Sequence, residues 1–257
     1  MLRNDKVVDY TVSESGHLAR CHYAEKGAKT YTVMRGRAEA VSNGRKFVLA
    51  EGDIFNAEAW HPFSIKLLTD DTVVREISVW EGEKERFMPD PASCVDAGLD
   101  DILEAAPKGK GIYEFKAKGI TLTLKVGRWQ LDGLKEIWEC RIDKGYRLAF
   151  NGLSGIEGLF MVRSGCFRVV VDGKETIASD GELIRVPAGV AYAFTALSEG
   201  CVIQDFHVSC HLFRMLEMVE AAQDYFPEKL SDQAYLDYLF EANKVVSFDS
   251  LEMEEIE

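Results

Sequence analysis

The feature that most constrains the fold of this 257-residue chain is an internal repeat. When the sequence is compared with itself at a shift of 129 residues, three glycines and two turn signals coincide in the same order. The coinciding positions are Gly36 with Gly165, Gly52 with Gly181, and Asn43-Gly44 with Asp172-Gly173. Chance alternation of apolar residues does not produce such a set, and we therefore expect two copies of one folding unit.

Strand residues extend the match along both copies. Tyr31 and Val33 fall on Phe160 and Val162 at the same shift. If the first copy is then given a gap of two residues, His61-Pro-Phe63 meets Tyr192-Ala-Phe194. The later positions match again after the gap closes, and they are Val74 with Ile203, Glu76 with Asp205, and Val79 with Val208. The repeat therefore spans most of each half.

Each copy consists of short segments that are typical of β-strands. Segments such as "KTYTVMRG", "ITLTLKVG" and "FRVVVDG" are rich in Val, Ile, Phe and Tyr, and many of them end at Gly, Asn or Asp. Asn-Gly and Asp-Gly tolerate the positive φ of tight hairpin turns. Many short strands at regular spacing favour a sandwich or barrel, so we predict an all-β fold.

The pattern changes between the copies and after them. "DAGLDDILEAA" predicts a short helix between the two halves. After residue 210, apolar residues recur at steps of three and four, which predicts two helices separated by Pro227, the second capped by Ser231. The predicted domains are an N-terminal barrel (1–88), a linker with a short helix (89–112), a C-terminal barrel (113–210) and a helical segment with an acidic tail (211–257).

Composition excludes several classes of partner. The net charge is -13, and such a field repels phosphate backbones and anionic lipid, so we expect neither nucleic acid nor membrane as a partner. The start, "MLRNDKVVDY", lacks the apolar region of a secretory signal. None of the six cysteines forms a Cys-x-x-Cys pair, which argues against a zinc knuckle. Reduced thiols in a cytoplasmic protein are the simplest expectation.

The second copy contains "EGLFMVRSGCFRVVVDGKETIASDGELIRVPAGVAYAF", which resembles the cupin superfamily. The cupin pattern has a Glu before an aromatic and apolar strand, a Gly, a second Gly and then Pro-x-Gly, and the matching residues are Glu157, Gly165, Gly181, Pro187 and Gly189. Together with the repeat, the chain resembles a bicupin over roughly residues 6–80 and 113–208. The resemblance implies two jelly-roll β-barrels in tandem, followed here by the helical C-terminal segment. It leaves the activity open, because cupins include many enzymes and some non-enzymes.

The resemblance also implies a metal site, built from His-x-His, a Glu, and a His after the Pro-x-Gly turn. Such a set suits Mn, Fe, Ni, Cu or Zn. In the second copy Glu157 is present, but Asn151 lies near the place of the upstream histidines and Tyr192 takes the place of the last one. Because a carboxylate, a phenol and an amide make a poor site for these metals, we predict no metal in the C-terminal barrel.

The first copy keeps a different part of that pattern. His61 stands at the last ligand place, His22 falls on Asn151, and Ala28 stands where the Glu would be. A structured site normally needs three protein ligands, so two histidines alone favour the absence of a cofactor. The alternative is a divalent transition metal (Fe, Mn, Ni or Zn) held in the N-terminal barrel by His22 and His61.

A metal-free second barrel predicts a ligand site lined by mixed side chains. Strand alternation from Glu157 places Met161 and Arg163 on its face. Asp205 and His207 share a face of a later strand, where the carboxylate can hold the imidazole or support acid–base chemistry. We predict that a small polar molecule, sugar-like or carboxylate-like, contacts these residues: Asn151, Glu157, Met161, Arg163, Tyr192, Asp205 and His207.

Three classes of function are compatible with the sequence, and no catalytic residue is assigned. The first is a bicupin that binds a small molecule in its metal-free C-terminal barrel. The second is an enzyme, either a metal-dependent dioxygenase or isomerase that uses the N-terminal barrel or a metal-free isomerase. The third is a sensory or regulatory cupin module, although no helix-turn-helix pattern follows the barrels and the net charge opposes DNA. Strand edges that need protection also predict a homodimer.

Overall fold

The computed structural model describes residues 6–12, 16–24, 28–42, 44–57, 61–79, 85–87, 105–106, 108–130, 136–150, 157–206 and 211–243. The chain divides into two compact units. The first contains Met1–Gly111 and Arg128–Gly133, and the second contains Ile112–Gly127 and Leu134–Glu257.

The first unit is a pair of β-sheets formed by ten described strands. These are β1 (Lys6–Val12), β2 (Gly16–Ala24), β3 (Ala28–Arg35), β4 (Arg37–Ser42), β5 (Arg45–Ala50), β6 (Ile54–Ala57), β7 (Phe63–Leu67), β8 (Thr72–Val79), β9 (Glu85–Phe87) and β10 (Ala105–Ala106). One sheet has the strand order β1-β8-β3-β6-β10, and the other has the order β5-β4-β7-β2-β9. Neighbours such as β8 and β3 are distant in sequence, as a jelly roll requires.

The second unit repeats this arrangement and adds a hairpin and two helices. Its strands are β11 (Tyr113–Ala117), β12 (Ile120–Val126), β13 (Ile137–Ile142), β14 (Arg147–Phe150), β15 (Gly158–Ser164), β16 (Cys166–Val171), β17 (Lys174–Ser179), β18 (Leu183–Val186), β19 (Tyr192–Ala196) and β20 (Cys201–Asp205). The helices are α1 (Leu212–Tyr225) and α2 (Gln233–Ala242). The sheets have the orders β11-β12-β13-β20-β15-β18 and β14-β19-β16-β17.

Strand pairing confirms the repeat and corrects one part of its alignment. The order β1-β8-β3-β6 is matched by β13-β20-β15-β18, and β5-β4-β7-β2 by β17-β16-β19-β14. In the first unit Ser42 pairs with Phe63, and in the second Val171 pairs with Tyr192. The shift is therefore 129 residues here too, and the predicted gap of two residues is wrong. Phe63, not His61, is the counterpart of Tyr192.

The turn glycines match because each copy bends in the same way. Gly36 and Gly165 have φ values of 82° and 85°. A Cβ atom at Gly165 would lie 2.6 Å from the Cys201 sulfur, and one at Gly36 would lie 2.5 Å from the Thr72 hydroxyl. Only glycine fits both the backbone angle and the space. The predicted Asp172-Gly173 hairpin turn is also present, with φ positive at both residues.

Each unit has its own apolar core between its sheets. In the first unit, Tyr31, Phe55 and Phe63 belong to a buried cluster whose ring centroids lie 5.6 to 6.4 Å apart. The core of the second unit includes residues of both sheets and of the helices, among them Leu216 and Phe240. The C-terminal helices are therefore part of the packed core of the second unit.

Ion pairs lie on the sheet faces turned away from these cores. Arg75 donates to Asp9 through Nε and Nη2 at 2.6 and 2.7 Å. The register matches Asp9 with Glu139, which binds Lys125 at 2.8 Å. The Lys125 side chain is fully buried. The position of Arg75 is occupied in the second unit by Gln204, which carries no charge. In the second unit a lysine of the added strand β12 thus supplies the cation that Arg75 supplies in the first.

The helices differ in detail from the sequence prediction. Pro227 begins a 3-10 turn between them, as expected, but the side chain that caps α2 is Asp232, which accepts from the Ala234 amide, and not Ser231. No helix in the part of the chain that is described is long and apolar enough for a membrane span. Most of the predicted linker helix lies outside the described residues, but Ala105–Ala106 at its end form strand β10 beside β6.

Candidate ligand site at one end of the second barrel

A buried carboxylate lies among aromatic side chains at one end of the second barrel. Asp205 is the last residue of β20 and pairs with Trp138 on β13 and with Phe160 on β15. Residues that are opposite each other on neighbouring strands share a face of the sheet. Trp138 and Phe160 belong to the core cluster, so Asp205 points to the same inner face. Its residue is only 8% exposed.

Tyr192 supplies the facing wall at this end. It begins β19, and its ring centroid lies 5.4 Å from that of Phe160 and 5.7 Å from that of Phe194. Phe160 and Phe194 are 4.9 Å apart in an edge-to-face arrangement that aromatic pairs prefer. We call the group Trp138, Phe160, Tyr192 and Asp205 the Asp205 end of the barrel. This end therefore offers a ligand aromatic rings from both sheets and one carboxylate that can accept hydrogen bonds.

A thiol and an indole lie on the strand next to the carboxylate. Cys140 lies two residues along β13 from Trp138 and is buried. Burial raises the pKa of the Cys140 thiol, and the negative charges of Asp205 and Glu139 raise it further. The thiol is therefore held in its neutral form. Trp138 donates from Nε1 to Glu136 Oε2 at 2.9 Å, which fixes the indole.

Glu136 also connects helix α1 to this region through a hydrogen bond. Glu136 Oε2 also accepts from the backbone amide of Phe213, in the first turn of α1, at 3.1 Å. A carboxylate is favoured at a helix N-terminus because the first amides there lack partners within the helix. The Phe213 ring lies 5.1 Å from Tyr113, which contacts Trp138 edge to face at 6.3 Å. Helix α1 therefore packs beside the Asp205 end.

Tyr113 is a second titratable group whose pKa this packing shifts. Burial raises the pKa of its phenol above the usual range, and a hydrogen bond to Glu220 and the negative charges of Glu220 and Glu217 on α1 add to the increase. Tyr113 is therefore a neutral phenol that closes the core under α1.

Glu157 does not share the inner face with Tyr192, contrary to our expectation. It forms an ion pair with Arg185 at 2.9 Å, and both side chains are partly exposed. Arg185 pairs with Leu159, which alternates with the inward Phe160. Glu157 and Met161 therefore belong to the outer face of β15, although Met161 is fully buried there. Their assignment to the same ligand site as Tyr192 does not fit this register.

The other predicted ligand residues are placed only in part. Arg163 is half-buried and lies where the pairing of β15 with β20 shifts, so simple alternation from Glu157 does not hold there. Asn151 and His207 lie outside the described residues, and their contribution stays a prediction. Of the predicted set, the structure brings Tyr192 and Asp205 to the same end.

The residues at the expected metal position of the second barrel do not suit a metal. Tyr192 packs against two phenylalanine rings, and Glu157 binds Arg185 on the other face of its sheet. These two groups cannot approach one ion together. Across the described ranges, no three His, Cys, Asp or Glu side chains are grouped so that they could hold a metal. The absence of a metal from this barrel stays a prediction.

The first barrel also departs from the expected ligand positions. Phe63 occupies the place that we assigned to His61, because β7 is in the same register as β19. His22 pairs with Phe63, as Phe150 pairs with Tyr192, so Phe150 and not Asn151 is its counterpart. The side chain of His22 lies outside the part of the structure that is described. A metal at His22 and His61 stays an untested alternative.

Trp138, Phe160 and Cys140 were missed as site residues. The repeat matches Phe160 with Tyr31 as a strand residue, and nothing in that match marks Phe160 as part of a ligand site. Trp138 and Cys140 lie on β13, for which the repeat gave no match. The signal that finds them is strand pairing, since Trp138 stands opposite Asp205.

Comparison with known proteins shows which solved structures have a similar fold. No family model matches the sequence, and no curated protein matches it. Solved structures match well. The salicylate 1,2-dioxygenase of Pseudaminobacter salicylatoxidans aligns with a TM-score of 0.63 and 15% identity, covering 78% of this chain and 70% of that chain. The coconut allergen cocosin aligns with a TM-score of 0.57 and 12% identity, covering 78% and 76%.

These matches and the duplicated jelly rolls define the class of protein: the chain has the cupin fold in its two-barrel, bicupin form. The salicylate 1,2-dioxygenase has also been crystallised as adducts with gentisate, and that structure aligns with a TM-score of 0.61. At 15% identity the likeness concerns the fold alone. One of these neighbours is an enzyme and the other an allergen, so function must come from the site.

Proposed function

We propose that this bicupin binds a small polyhydroxylated, sugar-like molecule at the Asp205 end of its second barrel. The observation that carries the proposal is the position of Asp205, an 8% exposed carboxylate in one row with Trp138 and Phe160. Ligand sites combine apolar and aromatic walls with a few polar groups that fix orientation. Aromatic rings pack against the C–H faces of a sugar ring, and a carboxylate accepts from its hydroxyls.

The charge of the site favours a neutral ligand over a carboxylate. Asp205 places a negative charge among rings, and a ligand carboxylate beside it would be repelled in a medium that screens poorly. Hydrogen bonds from ligand hydroxyls to Asp205 would be charge-assisted and therefore stronger than those between neutral groups. Of the two ligand classes that the sequence suggested, the sugar-like one fits these residues better.

The proposal concerns binding, with no metal and no assigned catalytic residue. The Cys140 thiol, whose pKa is raised by burial and by Asp205, is held neutral and is a poor nucleophile. A role in acid–base chemistry would need His207 beside Asp205, and that residue lies outside the described ranges. A binding protein is the function that the described residues support.

The test is a binding screen with matched acid variants. The purified protein is examined by ligand-detected NMR with D-glucose, D-galactose, D-mannose, D-xylose and myo-inositol, and acetate and benzoate serve as carboxylate probes. We expect at least one of the polyols to bind and Asp205→Asn to weaken it at least tenfold. Glu157→Gln removes a carboxylate from the outer face and should change nothing. Equal binding by both variants, or binding of the carboxylates alone, would contradict the proposal.

We also propose that the chain forms a homodimer through a strand edge. Strand β17 is the last strand of its sheet in the described topology and pairs with β16 alone. Ile177 on this strand is 51% exposed, and its counterpart Val48 on β5 is 55% exposed. An unprotected edge with an exposed β-branched residue is a template for pairing with another chain. A second copy would protect it.

A further inference from the structure

The first barrel contains a buried polar cluster at the end equivalent to the Asp205 end. Tyr10 donates from its hydroxyl to Glu76 Oε2 at 3.2 Å, and Ser78 donates to Glu76 Oε1 at 3.3 Å. The Lys29 ammonium lies 3.6 Å from Glu76 Oε1. Lys29, Glu76 and Ser78 are 5%, 5% and 2% exposed. We call these four residues the Glu76 cluster.

The cluster faces the aromatic core of its barrel. Lys29 and Tyr31 are two residues apart on β3 and therefore share a face. Tyr31 pairs with Glu76 across the sheet, and its ring lies 5.6 Å from that of Phe63. A cation, a carboxylate and two hydroxyls therefore stand beside aromatic rings inside the barrel.

The fold does not need this ion pair, as the second barrel demonstrates. The counterparts of Lys29, Glu76 and Tyr10 in the matching strands are Gly158, Asp205 and Cys140. The second barrel therefore forms the same strand arrangement without the lysine. Burying two charges costs desolvation free energy that their attraction does not always offset, so a buried pair is weak evidence for a stabilising role.

We infer that the Glu76 cluster is a second ligand site, for a small zwitterion of the α-amino acid type. Its carboxylate would meet Lys29, its ammonium would meet Glu76, and its side chain would lie toward Tyr31 and Phe63. This site is separate from the sugar-like site of the second barrel and does not depend on it.

The pairing of opposite charges selects the ligand class. A ligand with one charge would bind one member of the pair and leave the other poorly compensated in a buried position, which is costly. A zwitterion brings both charges one carbon apart and leaves no net charge buried. The Lys29–Glu76 distance of 3.6 Å exceeds that of a close charge-assisted hydrogen bond.

The ligand test compares each amino acid with derivatives that lack one charge. The common L-amino acids are screened by thermal shift at pH 7, and those that bind are titrated by calorimetry. The corresponding N-acetyl amino acid keeps only the carboxylate, and the amino acid amide keeps only the ammonium. We expect at least one amino acid with an apolar side chain to bind, and both derivatives to bind at least tenfold more weakly.

The site test replaces three residues of the Glu76 cluster by the residues at the equivalent positions of the second barrel. The triple variant Lys29→Gly, Glu76→Asp, Tyr10→Cys carries the residues of an arrangement that already folds, and its thermal midpoint verifies that it does. We expect it to lose at least tenfold in amino acid affinity. Lys46→Met, which changes an exposed lysine paired with Glu39, should leave the affinity unchanged. Binding of monosaccharides by the second barrel should be unaffected in both.

Three results would overturn the inference. The first is that no amino acid binds at up to about 10 mM, a limit that corresponds to only a few kcal/mol of binding free energy. The second is that a singly charged derivative binds as tightly as its amino acid. The third is that the folded triple variant keeps its amino acid affinity. Because the probes and variants differ from those of the sugar screen, each proposal can fail while the other stands.

Discussion

Phe63 and Tyr192 occupy the same place in the two barrels. Phe63 begins β7 and pairs with Ser42, whereas Tyr192 begins β19 and pairs with Val171. Each ring packs against the aromatic core of its own barrel. One barrel therefore carries a hydroxyl at a position where the other carries none, and the first barrel shows that the fold accepts phenylalanine there.

The first prediction concerns that hydroxyl. Tyr192→Phe should leave the thermal midpoint nearly unchanged, because Phe63 fills the equivalent position in the first barrel. It should weaken any ligand of the second barrel by roughly 1–3 kcal/mol, the usual cost of leaving a buried polar partner unsatisfied. Calorimetric titration of wild type and variant measures the difference. An unchanged affinity would exclude the hydroxyl from the site.

The second prediction concerns stability at low pH. The hydrogen bonds and charge of Arg75 lower the pKa of Asp9, although burial opposes this. A lowered folded-state pKa stabilises the fold above the unfolded pKa of about 3.9, and this contribution is lost as the pH falls through the folded-state pKa. Asp9→Asn should therefore be less stable than wild type at neutral pH by at most about 1 kcal/mol, since the side chain of Asp9 is 44% exposed. Urea unfolding should show the difference shrinking toward pH 3, and a difference independent of pH would contradict it.

The third prediction compares a buried ion pair with an exposed one. Lys125→Met should cost about 3–5 kcal/mol, because it leaves Glu139 in a largely buried position without its cation. Lys116→Met breaks the exposed pair with Glu114 and should cost less than about 1 kcal/mol. Urea unfolding measures both. Similar costs for the two variants would show that Lys125 is not buried as described.

The fourth prediction concerns thiol reactivity. Burial, Asp205 and Glu139 raise the pKa of Cys140, and only the thiolate is nucleophilic. Cys140 should therefore resist iodoacetamide at pH 8 in the folded protein and react after unfolding in urea. Peptide mass spectrometry compares it with the half-buried Cys166, which serves as the internal reference. Rapid labelling of Cys140 in the native state would be inconsistent with its burial.

The fifth prediction concerns assembly. Light scattering at micromolar concentration should give a mass near twice the 28.8 kDa of the chain. Ile177→Lys places a charge on the exposed edge strand β17 and should reduce the mass toward that of one chain. The equivalent change on the other edge strand, Val48→Lys on β5, tests whether that edge is used instead, and dissociation by Val48→Lys alone would contradict an interface at β17. A monomeric wild-type protein would contradict the dimer proposal.

The repeat and the jelly-roll fold could be predicted from the sequence because turn glycines fix them. The register of β7 could not, since a shift of two residues preserves which side chains face inward, and only a shift of one reverses them. The sequence alignment of His61-Pro-Phe63 with Tyr192-Ala-Phe194 therefore has the correct inward and outward pattern but is displaced by two residues. Strand pairing with β4 resolves what alternation leaves open.

The orientation of Glu157 was hidden for a related reason. Strand β15 has apolar residues on both faces, with Leu159 and Met161 on one and Phe160 and Val162 on the other. A strand that is buried on both sides gives no alternation to mark its inner face. The cupin pattern suggested that Glu157 points inward, whereas its ion pair with Arg185 places it outside. Only its pairing with Asp205 in the structure identifies Trp138 as a residue of the site.

A ligand at Asp205 is the central prediction, and a crystal structure of the protein soaked with the tightest-binding monosaccharide of the screen tests it most directly. We predict that the sugar lies inside the second barrel, with a hydroxyl donating to Asp205 and a ring face against Phe160 or Tyr192. A sugar bound only elsewhere, or a transition metal held by protein ligands at Tyr192, would contradict the account.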